Sequence, residues 1–144
     1  MRRMMDVWLD NGLMVGGIAA VVSCIQFLSS RMPLKILHSI RSVNPHGGGP
    51  VEAIKQQALV NRKAGHQIEV VCLDAPDDPW VKAFPLRCHA MGPSKGSYGY
   101  SSNFVPWLRR VRSDYDVVVV DGLWQYHAFG VWRALRGTDT PYHV

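Results

Sequence analysis

Four consecutive valines, Val117 to Val120, set the tightest limit on what this chain can fold into. Successive residues of a strand point to opposite faces, so a strand apolar at every position must be covered on both. Such strands lie at the centre of parallel sheets, with helices packed above and below.

The rest of the chain has the alternation that such a sheet requires. Residues 34–40 read as a first strand. Turn formers follow, from Ser42 through Gly49, and Pro50 suits the first helical position, where its missing N–H costs nothing. Val51, Ile54 and Ala58 recur at helical spacing, and Gly65 ends that helix. Residues 67–73 form a second strand and residues 80–84 one short helical turn, and residues 86–91 form a third strand. Asn103 is placed to cap a helix through Arg112, with Phe104, Trp107, Leu108 and Val111 on its apolar side. Residues 116–120 are the fourth strand, 125–136 a helix, and 141–144 the start of a fifth strand. Right-handed crossovers then predict an α/β fold, a Rossmann-like doubly wound parallel sheet with strand order 3-2-1-4-5.

The composition agrees with one globular domain. In 144 residues, 47% are hydrophobic and 19% charged, which excludes a disordered, collagenous or coiled-coil chain. Cys24, Cys72 and Cys88 form no CxxC pair, so neither a disulfide framework nor a structural zinc site is expected, and a reducing compartment fits. The net charge of +5 is densest at Arg109, Arg110 and Arg112. That cluster is either a solvated helix face or a patch facing anionic lipid or phosphate. No zinc-finger or RNA-binding signature accompanies it, so nucleic acid is not an expected partner.

Residues 1–31 differ in kind. The run from Gly12 to Leu28 carries no charge and stands at the short limit for a membrane-spanning helix. An apolar helix preceding the domain is expected there. A membrane anchor, a signal peptide, a buried helix and an upstream extension of a frame that starts at Met32 all remain open. The α/β domain is expected over residues 32–144, with the sheet cut at its fifth strand.

In doubly wound sheets, ligands bind beyond the carboxyl ends of the strands, near the switch in strand order. The loops there are residues 41–49, 74–80, 92–102 and 121–127. In the first, Asn44, Pro45, His46, Gly47, Gly48 and Gly49 lead into a helix N-terminus, whose free N–H groups and dipole attract anions. It is neither GxGxxG nor a Walker loop, which argues against dinucleotide binding and phosphoryl transfer. In the last, Asp121, Trp124, Gln125, Tyr126 and His127 offer aromatic faces rimmed by polar groups, a composition suited to a sugar. The third loop adds Lys95, Tyr98 and Tyr100. His38 and His89 read as satisfied strand residues and His66 as a cap or surface residue. Asp74, Asp77 and Asp78 read as a solvated turn, although Asp74 would also suit a ribose in an ordinary nucleotide-binding domain.

Three segments carry a family resemblance: Lys35 to Glu52 (KILHSIRSVNPHGGGPVE), Ala64 to Val71 (AGHQIEVV) and Asp121 to His127 (DGLWQYH). Together they resemble the N-terminal domain of GT-B glycosyltransferases of the family-4 type, and the Trp-Gln-Tyr-His run resembles a subgroup met in polysaccharide synthesis. The resemblance implies retaining transfer of a sugar from a nucleotide-sugar to a glycan or lipid-linked acceptor, with no bound metal and no cofactor. It implies that Gly47, Gly48 and Gly49 approach the donor phosphates. It leaves Asn44, His46, Tyr98, Tyr100, Asp121, Trp124, Tyr126 and His127 as candidates for the acceptor or sugar, and assigns no catalytic residue. Family members bind the nucleotide on a second domain with a Glu-x7-Glu element, which these residues do not contain. A separate donor domain is therefore an expected partner, and the chain by itself is expected to be inactive. Non-catalytic docking onto such a domain or onto a membrane is the alternative. Nucleotide-sugars are cytosolic, so the expected location is the cytoplasm, with attachment to the inner membrane face left open.

Overall fold

The computed structural model describes residues 32–144. The apolar run from Gly12 to Leu28, and the helix expected there, lie outside the described residues. Five strands form one sheet: β1 (Lys35–Ser39), β2 (Gln67–Cys72), β3 (Arg87–Ala90), β4 (Val117–Val120) and β5 (Tyr142–His143). Their order is β3-β2-β1-β4-β5 and every pairing is parallel, as the alternating pattern predicts. The helices are α1 (Gly49–Lys63), α2 (Pro79–Lys82), α3 (Phe104–Val111) and α4 (Tyr126–Leu135).

The valine strand explains the layering. Val118 and Val120 point into one core with Leu37, Val71, Phe104, Leu108 and Val131, beneath α3 and α4. Val117 and Val119 point the other way and pack against Ile36, Ile54, Ala58, Ile68 and Val70, beneath α1 and α2. The sheet is thus covered on both faces, and the Rossmann-like reading stands. The layer over α3 and α4 is tight. A Cβ on Gly130 of α4 would stand 2.6 Å from Cδ1 of the fully buried Phe104.

Local signals act mostly as anticipated. Helix α1 begins at Gly49, one residue before Pro50. It closes with Gly65 N–H donating to Arg62 O at 3.0 Å and His66 N–H to Asn61 O at 2.9 Å, the bonding of a glycine-terminated helix. Asn103 does precede α3, but its side chain makes no capping bond. Ser101 Oγ accepts the Asn103 N–H at 3.3 Å, one residue ahead of the helix, and no side-chain cap reaches the first N–H groups of α3.

His66 corrects a second expectation. It is buried, not a surface residue, and its Nδ1 accepts the Leu34 N–H at 3.1 Å, which ties the end of α1 to the start of β1. His89 is satisfied within the sheet. Its Nε2–H donates to Glu69 Oε2 at 2.7 Å, and Tyr115 O–H donates to the same oxygen at 2.7 Å. Burial works against the Glu69 charge, but these two bonds and the nearby Lys35 outweigh it and hold the carboxyl below its ordinary range.

Candidate functional site

The switch in strand order falls between β1 and β4, because β1 leads to β2 on one side while β4 leads to β5 on the other. The two chains leave the sheet together there, with Asp121 N–H donating to Ser39 O at 2.8 Å. Crevices at such points are where open α/β sheets bind ligands.

Asp121 is held from below. His38, buried in β1, donates Nδ1–H to Asp121 Oδ2 at 2.8 Å. A carboxylate only accepts, so this contact assigns the proton to Nδ1. On the opposite face of the sheet, His127 is 0% exposed, and its Nδ1 lies 3.4 Å from Ser39 Oγ. Its Nε2 has no partner among the described residues, and the position of a Cβ on Gly122 lies 3.7 Å away. Burial pushes the His127 pKa down to about 4, against the pull of Asp121 and Ser39, and the charge of Arg41 adds to the depression. His127 is therefore a neutral imidazole at neutral pH.

The structure brings the two aromatic loops together. Tyr126 N–H donates to Tyr98 O at 2.9 Å, and a short antiparallel bridge between Lys95 and Tyr100 shapes the loop between them. The Tyr126 ring lies 4.9 Å from Tyr100 and 6.0 Å from Tyr98, edge to face in both cases. Tyr126 itself is a core residue at 6% exposure, and burial raises its pKa. It supports the other two rings and offers no face of its own. Tyr98 and Tyr100 are half exposed, and Trp124 is 89% exposed. So the aromatic surface available to a ligand is Tyr98, Tyr100 and Trp124.

The glycine turn forms a separate corner. Residues Pro45–Gly47 make one 3-10 turn, with Asn44 Oδ1 accepting the His46 N–H at 2.9 Å. Gly48 has φ +75°, a conformation that favours glycine, and it precedes α1 with no side-chain cap. Apart from the adjoining backbone, nothing lies within 4 Å of a Cβ built on Gly48 or Gly49. The first N–H groups of α1 therefore lack a side-chain cap beside open space. Among the described residues no hydrogen bond joins this corner, with Asn44, His46 and Gly47, to the tyrosine cluster.

Two residues at the site have roles that the sequence did not reveal. Asp74 is neither a solvated turn residue nor free for a ribose. Its Oδ1 accepts Ser42 O–H at 2.6 Å and its Oδ2 accepts the Val43 N–H at 2.8 Å, so the carboxylate is spent on holding the glycine loop. Arg41 places its side chain against Gly99: a Cβ there would meet Arg41 Nε at 3.3 Å. The position of each just past a strand's carboxyl end was the available signal. A distinct groove of about 340 Å³ lies along α3, lined by Met91, Asn103, Pro106, Trp107 and Arg110. Among the described residues no cluster of His, Cys, Asp and Glu is arranged to hold a metal ion. Nor is any helix there long and apolar enough to cross a membrane.

Comparison with curated proteins and with solved structures gives no match. The sequence model of the glycosyl transferase 4-like domain does match, over residues 48–144. That span runs from Gly48 through every crossover helix to β5, four of the five strands, and by it the chain belongs to the glycosyl transferase 4-like domain family.

Proposed function

We propose that this domain is the acceptor-side half of a retaining glycosyltransferase, one that moves a sugar from a nucleotide-sugar to a glycan or lipid-linked acceptor. The observation that supports this most is the family match over a framework whose switch point gathers Tyr98, Tyr100, Asp121 and Trp124. In such a transfer the bond from the anomeric carbon to the diphosphate breaks and the diphosphate leaves with the electron pair, while a bond to an acceptor hydroxyl oxygen forms and that hydroxyl gives up its proton to the departing diphosphate or to water. The aromatic faces suit the C–H face of a sugar ring, and the Asp121 carboxylate, oriented by His38, suits its hydroxyls. The uncapped start of α1 at Gly48 and Gly49 suits a donor phosphate.

Transfer also needs the leaving diphosphate stabilised and the acceptor aligned with the anomeric carbon. One wall of a cleft does not accomplish both, so the domain works opposite a donor-binding domain. Nucleotide-sugars place this reaction in the cytoplasm. Arg109 and Arg110, exposed on α3, would favour the anionic inner face of a membrane.

Titration of the full chain with mono- and oligosaccharides, followed by NMR, tests the reading. Shifts centred on Tyr98, Tyr100 and the Trp124 indole are expected. Absence of shifts, or shifts confined to the groove at Trp107, would refute it. Incubation with a panel of nucleotide-sugars and the bound oligosaccharide should give no turnover, and robust transfer would remove the need for a second domain. Sugar binding that persists with no transfer, even beside a donor domain, would mark a non-catalytic binding module instead.

A further inference from the structure

Arg41 has no role in the packing just described that accounts for its charge. It follows β1 at the switch point, and its backbone is fixed, with Arg41 O accepting the Leu73 N–H at 2.9 Å. Its side chain is half-buried and runs beside the Gly99 turn, where a Cβ would stand 3.3 Å from Nε and 3.6 Å from Cγ. Gly99 sits between Tyr98 and Tyr100 in the chain and has φ +76°, so the turn leaves room for the guanidinium where a side chain would crowd it. The charge of Arg41 reaches the His127 imidazole. Arg41 thus lies at the switch point, beside the turn that carries Tyr98 and Tyr100.

Among the described residues the guanidinium forms no ion pair and donates no hydrogen bond. Each ion pair near the sheet uses other groups: Lys35 and Arg87 go to Glu69, and Asp121 is taken by His38. Asp74 is occupied by Ser42 and Val43. A guanidinium carries five N–H donors and no acceptor, in a planar fork that fits carboxylate or phosphate oxygens two at a time. His127 is neutral and carries no second positive charge. None of the described residues supplies the acceptors for this fork, and an oxyanion on a ligand would.

We propose that Arg41 is a specificity-determining residue that selects acceptors carrying an oxyanion on the sugar, a carboxylate or a phosphate, by a bidentate hydrogen bond at the Gly99 turn. This rests on the proposed sugar-binding function and names the substrate class of that same crevice. A neutral sugar meets the same tyrosines but leaves the fork unpaired.

The test is calorimetric or NMR titration of the full chain with glucose, glucuronic acid, glucose 6-phosphate and inorganic phosphate. The two anionic sugars should bind about tenfold or more tighter than glucose, as charge-assisted bidentate bonds do. Whichever of the two binds tighter identifies the oxyanion. Arg41→Gln should bring both to within about twofold of glucose while leaving glucose binding in place. Arg41→Lys, which keeps the charge without the fork, should retain part of the preference. Thermal unfolding of both variants checks that the fold is intact.

Equal binding of charged and neutral sugars, or a preference that survives Arg41→Gln, overturns the inference and leaves the sugar-binding function standing. Arg41-dependent binding of inorganic phosphate with no binding of any sugar overturns both and marks a plain anion site. No binding of any of the four compounds overturns both as well.

Discussion

Asp74 Oδ1 stands 2.6 Å from Ser42 Oγ, and the second oxygen of the same carboxylate takes the Val43 N–H at 2.8 Å. The end of β2 is thereby tied to the loop that leaves β1. Ser42 Oγ in turn accepts the Asn44 N–H at 3.1 Å, and Asn44 Oδ1 accepts that of His46. One carboxylate therefore holds the entry of the glycine turn through a chain of short bonds.

Replacement of Asp74 should show this. Asp74→Ala leaves the Ser42 hydroxyl and the Val43 N–H without their acceptor, at a cost of about 1–3 kcal/mol. Asp74→Asn keeps one acceptor oxygen and should lose less. Urea unfolding measures the loss, and hydrogen exchange should show faster amides from Val43 to Gly48 with β2 and β4 unchanged. Uniform exchange across the sheet would deny Asp74 this local role.

Gly49 separates a folding requirement from a ligand requirement. It is the first residue of α1, its φ is not positive, and apart from the adjoining backbone nothing lies within 4 Å of a Cβ built on it. Gly49→Ala should change stability by less than about 1 kcal/mol, because the smaller loss of freedom of alanine on entering a helix is offset by the restriction that Pro50 places on a side chain before it. If a phosphate approaches this backbone, the same methyl group should weaken nucleotide-sugar binding once a donor domain is present. Denaturant midpoints and binding titrations on one variant give both readouts.

His127 should make the domain sensitive to mild acid. Its pKa is about 4 in the fold against an ordinary value of 6.5. Between those limits the unfolded chain takes up a proton that the folded chain refuses. The stability associated with the neutral ring is complete above about pH 6.5 and is lost as the pH falls toward 4, on the order of 3 kcal/mol in all. Urea unfolding at a series of pH values measures that slope, and His127→Phe should flatten it. A slope unchanged in the variant would assign the acid sensitivity to other groups.

Gly130 should tolerate no side chain. In Gly130→Ala the new methyl carbon would lie 2.6 Å from the Phe104 ring, which is fully buried. Overpacking of this kind costs about 1–3 kcal/mol, more than alanine gains over glycine in a helix. A drop in the thermal midpoint is expected, and Phe104→Leu in the same chain should restore part of it. A stabilised Gly130→Ala would contradict the close packing of α3 on α4.

The architecture was legible because its signals are local. Val117 to Val120 demanded cover on both faces, and the structure divides them between two cores. Val51, Ile54 and Ala58 marked the buried stripe of α1, and Gly65 its end. Periodicity and turn chemistry act over a few residues and survive in the one-dimensional chain. The loops at the strands' carboxyl ends were also legible, since the strand order locates them.

What each loop residue does was not legible. Tyr126 and Trp124 are two residues apart and read alike, yet one is a buried support and the other is exposed to solvent. Asp74 looked free until Ser42 and Val43 were brought to it from another strand. His66 and Asn103 read as helix-end residues, but a distant backbone N–H claims one and the side chain of the other makes no capping bond.

The sequence by itself determined the layers, the strand order and the family, because hydrophobic period and crossover handedness depend on neighbours along the chain. The tertiary structure alone decided that Arg41 meets the Gly99 turn, that His38 holds Asp121 while His127 is buried on the other face, and that Asp74 belongs to the scaffold. A polar side chain's role depends on which donors and acceptors stand within about 3 Å of it. For these residues most of those partners come from other strands and loops, which the fold alone brings together.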